Sequence, residues 1–69
     1  MTFETVGYSF RKHSNHHYTH AVIFKNLSSA VPITDATWHK SKALAEKSAK
    51  AFAKTKHLKV IQIVEVVAK

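Results

Sequence analysis

The chain of 69 residues contains no cysteine. Disulfides, thiolate nucleophiles and cysteine-bearing zinc sites are therefore excluded together. A reducing interior suits such a chain. Glycine and proline occur once each. There is no glycine-rich loop to cradle a phosphate, no linker composition, no repeat and no low-complexity segment, so residues 1–69 read as one domain. No apolar run approaches the ~20 residues that cross a bilayer. Met1–Phe10 lacks the basic start and long apolar run of a secretory signal. The expected setting is cytoplasmic, with no membrane partner.

Acid is scarce as well. The carboxylate side chains are Glu4, Asp35, Glu46 and Glu65, scattered along the chain. No Ser-His-Asp order accompanies them. A non-enzymatic protein without a cofactor is the expectation. What the chain does carry is positive charge: 11 Lys+Arg against 4 Asp+Glu, a formal net charge of +7, and six histidines. Such a surplus draws polyanions, whether DNA, RNA or an acidic protein or nucleoprotein face. A domain of this length buries only about 60% of the surface its unfolded chain exposes. It is expected to work through its surface, alone or as a homodimer.

Val6, Tyr8 and Phe10 alternate with Gly7, Ser9 and Arg11, so Thr2–Lys12 reads as a strand with one covered face. Gly7 suits a bulge or a close approach. His13-Ser14-Asn15-His16 reads as a turn. Tyr18–Asn26, centred on Val22, Ile23 and Phe24, reads as a second strand in a hairpin with the first. After a turn at Leu27-Ser28-Ser29, Ala30–Thr34 reads as a short third strand. Pro32 cannot donate to a ladder, which places that strand at a sheet edge.

Thr37 reads as a helix N-cap. Trp38–Lys56 is rich in Ala, Lys and Leu, all strong helix formers. At 100° per residue Trp38, Ala45, Ala49 and Phe52 share one face, with Leu44 at its edge and Ser41 and Ser48 alongside. Lys40, Lys47, Lys50 and Lys54 fall opposite. Leu58–Val67 is β-branched and apolar, a final strand. It offers Leu58, Val60, Val64 and Val66 to one side and Ile61, Ile63 and Val67 to the other. The expected fold is α+β: a three- to four-stranded antiparallel sheet with one helix on one face, in the order β-β-β-α-β. The second face then needs cover. A twin subunit or partner protein would supply it, as would sheet curl with the N-terminal strand.

Four constellations could carry function. The lysine stripe Lys40, Lys47, Lys50 and Lys54 could follow a phosphate backbone, although an ordinary solvated helix face has the same pattern. Glu46 stands nearly alone among these lysines, so few ion pairs neutralise them. The expected hairpin tip Arg11-Lys12-His13-Ser14-Asn15-His16-His17, followed by Tyr18, joins basic groups to an aromatic ring that can stack on a base. A plain polar loop is its alternative. Among His13, His16, His17 and His20, the pair His16 and His20 could share a strand face. No carboxylate or cysteine lies near to complete a shell, so no metal site is assigned. A pH-sensitive charge patch is a milder use. Trp38 reads as core more than as an interface anchor.

Two stretches resemble known families. His16-His17-Tyr18-Thr19-His20-Ala21-Val22-Ile23-Phe24 is similar to the histidine-bearing strand of small HicA-like mRNA-cleaving toxins, which implies a ribonuclease using His17. Those toxins open with a helix and carry a glycine before that histidine, and this chain has neither. Val31-Pro32-Ile33-Thr34-Asp35-Ala36-Thr37-Trp38, leading into Lys42-Ala43-Leu44-Ala45-Glu46, resembles the strand-to-helix passage of small RNA-polymerase inhibitors of lytic coliphages. That resemblance spans about Tyr18–Val67. Short anti-CRISPR inhibitors resemble the same hairpin-helix-strand plan. It implies a phage-encoded, non-enzymatic inhibitor or adaptor in a host bacterial cell, bound to a CRISPR effector or RNA polymerase. The coliphage inhibitors grip polymerase through arginines on the final strand. Val60-Ile61-Gln62-Ile63-Val64 has none, so no binding residue is carried over. Direct, largely sequence-independent DNA or RNA binding is the alternative function.

Overall fold

The computed structural model describes residues 1–28 and 30–69. Ser29, in the expected Leu27–Ser29 turn, lies outside the described residues. The elements run β1 (Thr2–Thr5), β2 (Arg11–His13), β3 (His20–Asn26), β4 (Ile33–His39), α1 (Lys42–Ala53) and β5 (Leu58–Ala68). The strands form one antiparallel sheet in the order β2-β1-β5-β3-β4. The α+β class is the expected one. The sheet has five strands instead of three or four, because the first expected strand is built as two.

The alternating stretch Thr2–Lys12 is a hairpin and not one strand. Gly7 has φ +81°, a conformation that side chains beyond glycine rarely adopt. It lets the Tyr8 amide donate to the Thr5 carbonyl (3.4 Å) and the Thr5 amide donate to the Phe10 carbonyl (3.1 Å). Positive φ at the third position of a four-residue turn is what a type II turn requires. The expected pairing of this segment with the second strand is also replaced. β3 pairs with β4 and β5, whereas β2 pairs with β1. Residues 14–19 carry the chain across from the β2 edge to β3.

β4 lies at a sheet edge, as Pro32 implied, but it starts at Ile33 and runs through Trp38 to His39. Thr37 is therefore a strand residue opposite Val22, and Trp38 sits opposite Ala21. Thr and Trp fit a half-buried pleated surface, and that fit overrides the helical spacing of Trp38. The helix begins later. Ser41 is its N-cap, with the Leu44 amide donating to Ser41 Oγ (3.2 Å). It ends at Ala53, with the Lys54 amide bonded to Ala51 and Phe52 carbonyls.

β5 is the central strand and carries a bulge. Ile23 pairs with Gln62, yet Phe24 pairs with Val60, which leaves Ile61 as the extra residue. An inserted residue flips the side-chain parity. Leu58 and Val60 therefore share a side with Ile63, while Val64 and Val66 face the other way. The expected grouping of Leu58, Val60, Val64 and Val66 is broken there.

α1 packs on β5, β3 and β4. On that side Ala45 and Val22 are fully buried, and the rings of Phe24 and Phe52 lie 5.1 Å apart. On the other side Ala21, Ile23 and Val64 form a buried cluster. Tyr8, Phe10, Ala36, Trp38 and Val66 pack against it. The chain's own N-terminal residues thus cover the second face. Each large apolar side chain buried this way contributes about 1.5–3 kcal/mol.

Candidate nucleic-acid interface

The side facing away from α1 is built by β-strand alternation. On β2 and β1, Lys12 pairs with Phe3. Phe3 is fully buried and stands opposite Ala68 on β5. Residues 14–19 pass over this region and bring Tyr18 onto Phe3, with ring centroids 5.5 Å apart and nearly perpendicular. Tyr18 in turn neighbours Trp38 at 6.2 Å and His16 at 6.2 Å. The Lys12 ammonium lies 6.0 Å from the Tyr18 ring centroid, at the outer reach of a cation–π contact. His17 is exposed and sets its ring edge-on to Phe3 at 5.9 Å.

Several expected positions move. Arg11–His17 is not a hairpin tip. Arg11, Lys12 and His13 form edge strand β2, and His16 and His17 belong to the crossing connection. The structure brings Lys12, His16, His17 and Tyr18 together. Arg11 and His13 alternate to the other side of β2. There Arg11 Nε meets Glu4 Oε2 at 3.4 Å, and His13 Nδ1 lies 3.2 Å from Thr2 Oγ1. Of the lysine stripe, Lys47, Lys50 and Lys54 lie exposed along α1 and its C-cap. Lys40 sits in the turn before the helix, because the helix starts later than its composition implied.

His16 and His20 do not share a strand. His20 opens β3, between His39 on β4 and Glu65 on β5, and its Nδ1 is 2.8 Å from Thr19 Oγ1. Burial lowers the pKa of His39 below its ordinary value, and His39 Nε2 is 2.9 Å from Thr37 Oγ1. Among the described residues no three His or acidic groups are arranged to hold a metal ion. His17, the residue implied by the toxin resemblance, lies three residues before β3 and not on it. The passage that resembles the coliphage inhibitors, Val31–Trp38 leading into Lys42–Glu46, does run from strand β4 into α1, but Thr37 lies in the strand and Ser41 takes the cap.

Charge is divided unevenly between the two sides. Strand register puts Lys25 directly opposite Lys59, on the side away from α1 and shared with Lys12. Glu4, Asp35 and Glu65 alternate to the α1 side, and Glu46 is on α1 itself. Among the described residues, the side opposite α1 has lysines and no carboxylate.

Trp38, Lys25 and Lys59 join this side without having been singled out for it. The run Thr34–His39, with Ala36 and Trp38 alternating against Asp35 and Thr37, is the signal that could have placed Trp38 on a strand. Nothing in the sequence announces that Lys25 meets Lys59, because that depends on the β3–β5 register. Comparison with family models, curated proteins and solved structures yields no match to this chain.

Proposed function

We propose that this chain is a small, non-enzymatic binding protein, of the phage inhibitor or adaptor type, that attaches to a bacterial nucleic-acid-handling complex through the nucleic acid. The observation that carries this reading is unneutralised charge. A formal net charge of +7 is distributed over the surface, and the ion pair found among the described residues is a single one, Arg11 with Glu4. Exposed lysines on α1 and on the opposite sheet side are therefore available to phosphates. Each phosphate they neutralise releases condensed counterions, which favours binding at low salt.

A second reading has its own support. Val31 and Ile33, where the chain enters edge strand β4, are 74% and 54% exposed. Apolar groups beside an open strand edge suit a protein partner, with charge speeding the encounter. Fluorescence anisotropy with labelled random-sequence DNA and RNA over a salt series separates the two. The first reading expects log K to fall linearly with log salt. No detectable binding at low salt rejects it. A specific protein partner retained after nuclease treatment of a bacterial lysate then favours the second.

A further inference from the structure

We infer that the sheet side opposite α1 is a platform for single-stranded nucleic acid, with Tyr18 and Trp38 stacking bases and Lys12, Lys25 and Lys59 holding phosphates. This rests on the nucleic-acid reading above and names its surface and the form of its ligand.

Three features point the same way. The first is the aromatic row. His16, Tyr18 and Trp38 follow one another at 6.2 Å between ring centroids, and Tyr18 is propped from beneath by the buried Phe3. The Phe3 contact holds Tyr18 in place, which reduces the ordering entropy that opposes stacking. Tyr18 and Trp38 are partly exposed, and His16 is exposed.

The second is charge. Lys25 and Lys59 are cross-strand neighbours on this side. Like charges directly opposite one another destabilise a sheet. Among the described residues no carboxylate on that side offsets them. A phosphate bound between them removes the repulsion. Lys12, at the far side by Tyr18, extends the same sign of charge along the row.

The third is geometry. Stacking on Tyr18 or Trp38 needs the flat face of a base. In a duplex those faces are stacked on one another at ~3.4 Å and are closed to a side chain. Unpaired bases can splay and lie on aromatic rings, with the backbone running over a basic surface. The α1 lysines, in contrast, form a ridge without rings and have no means to tell a single strand from a duplex.

Trp38 is the chain's single tryptophan, so its emission reports directly on this surface. The experiment titrates the protein with oligothymidylate of about 15 nucleotides, with the matching oligouridylate, and with a duplex of equal length. Labelled-strand anisotropy and Trp38 fluorescence are followed together. Binding of either single strand should quench Trp38, and the duplex should bind at least tenfold more weakly. The two single-strand arms show whether the ribose 2′-hydroxyl matters. Tyr18→Leu keeps an apolar body over Phe3 and should weaken single-strand binding by about tenfold, in line with loss of one stacked base. Lys25→Glu with Lys59→Glu should lower affinity and flatten the salt slope without touching a ring. Circular dichroism establishes that each variant is folded.

Single-strand binding with unchanged Trp38 emission, or unaffected by both variants, would overturn the platform. If Lys47→Glu, Lys50→Glu and Lys54→Glu together abolish binding instead, the nucleic-acid reading survives on the helix alone and the platform does not. If neither strand form binds at low salt, both fall.

Discussion

The two sides of the sheet are closed in different ways. One is covered by a regular helix, the other by a turn and a crossing connection of the N-terminal region. The helix-covered side has Ala45 and Val22 buried and a capped element over them. The other side relies on Tyr8, Phe10 and Tyr18, none of which lies in a strand or helix. Irregular cover buries Phe3, Ala21, Ile23 and Val64 on this side, but leaves one polar group unsatisfied. Thr5, which alternates to this side, has its hydroxyl buried with no hydrogen-bond partner among the described residues. An unpaired buried polar group costs about 1–3 kcal/mol. The covering residues Tyr8, Phe10 and Tyr18 themselves remain only partly buried. The side that holds most of the buried core thus also carries the partly exposed aromatic residues of the proposed binding surface.

The comparison can be tested first where the effect is largest. Phe3→Ala removes a fully buried ring beneath the irregular cover, and should cost about 3–5 kcal/mol. A domain of this size has only roughly 3–10 kcal/mol in total. Phe52→Ala, on the helix side, removes a half-buried ring and should cost less. Urea unfolding of both variants ranks them. The reverse order would mean that the helix side holds the dominant core.

Two backbone devices come next. Gly7→Ala has open space around the new methyl group, yet the positive φ must be kept. It should cost about 1–2 kcal/mol through backbone strain alone. Ser41→Ala removes the helix cap and should cost about 1 kcal/mol. Thermal melts followed by circular dichroism compare them. If the loss at Gly7 is negligible, the turn that delivers Tyr8 and Phe10 does not depend on that conformation.

The smallest effect is a pH dependence on the helix side. Burial lowers the His39 pKa from 6.5, so the fold favours the neutral ring. As pH falls through about 6.5, the unfolded chain binds this proton before the folded chain does. The stability contributed by neutral His39 is complete above that value and declines as pH drops toward the lowered folded pKa. His20 is its cross-strand neighbour, and Glu65 lies beyond His20 on β5. Urea midpoints of the protein and of His39→Gln should draw closer as pH is reduced below about 6.5. A difference that stays constant across that range would remove His39 as the source.

Much of this architecture is readable from residue types. Ala, Lys and Leu mark α1, and the run of Val and Ile marks β5, because intrinsic preference and final structure agree there. Gly7 suits a bulge or a close approach, but alternation of Val6, Tyr8 and Phe10 masks the turn that it makes. Counting by twos cannot reveal an extra residue such as Ile61, so alternation alone misassigns the sides of β5 across it. Trp38 falls at helical spacing from Ala45 and Phe52 by coincidence, and its strand role depends on contact with Ala21. In the interface, the cluster from Lys12 to Tyr18 was legible as basic and aromatic. Its split between two sides of β2, and the meeting of Lys25 with Lys59, follow from strand register, a long-range property.

β5 lies at the middle of the sheet, between β1 and β3, yet it follows both hairpins it joins along the chain. Before it arrives, β1–β2 and β3–β4 are two hairpins, each with one inner edge unpaired. Joining them requires contacts as distant in sequence as Phe3 with Ala68. Such non-local pairing slows folding toward the millisecond-to-second range. Open apolar edges during that wait invite pairing between chains. The same central strand that unites the sheet therefore leaves two inner edges open to aggregation until it docks.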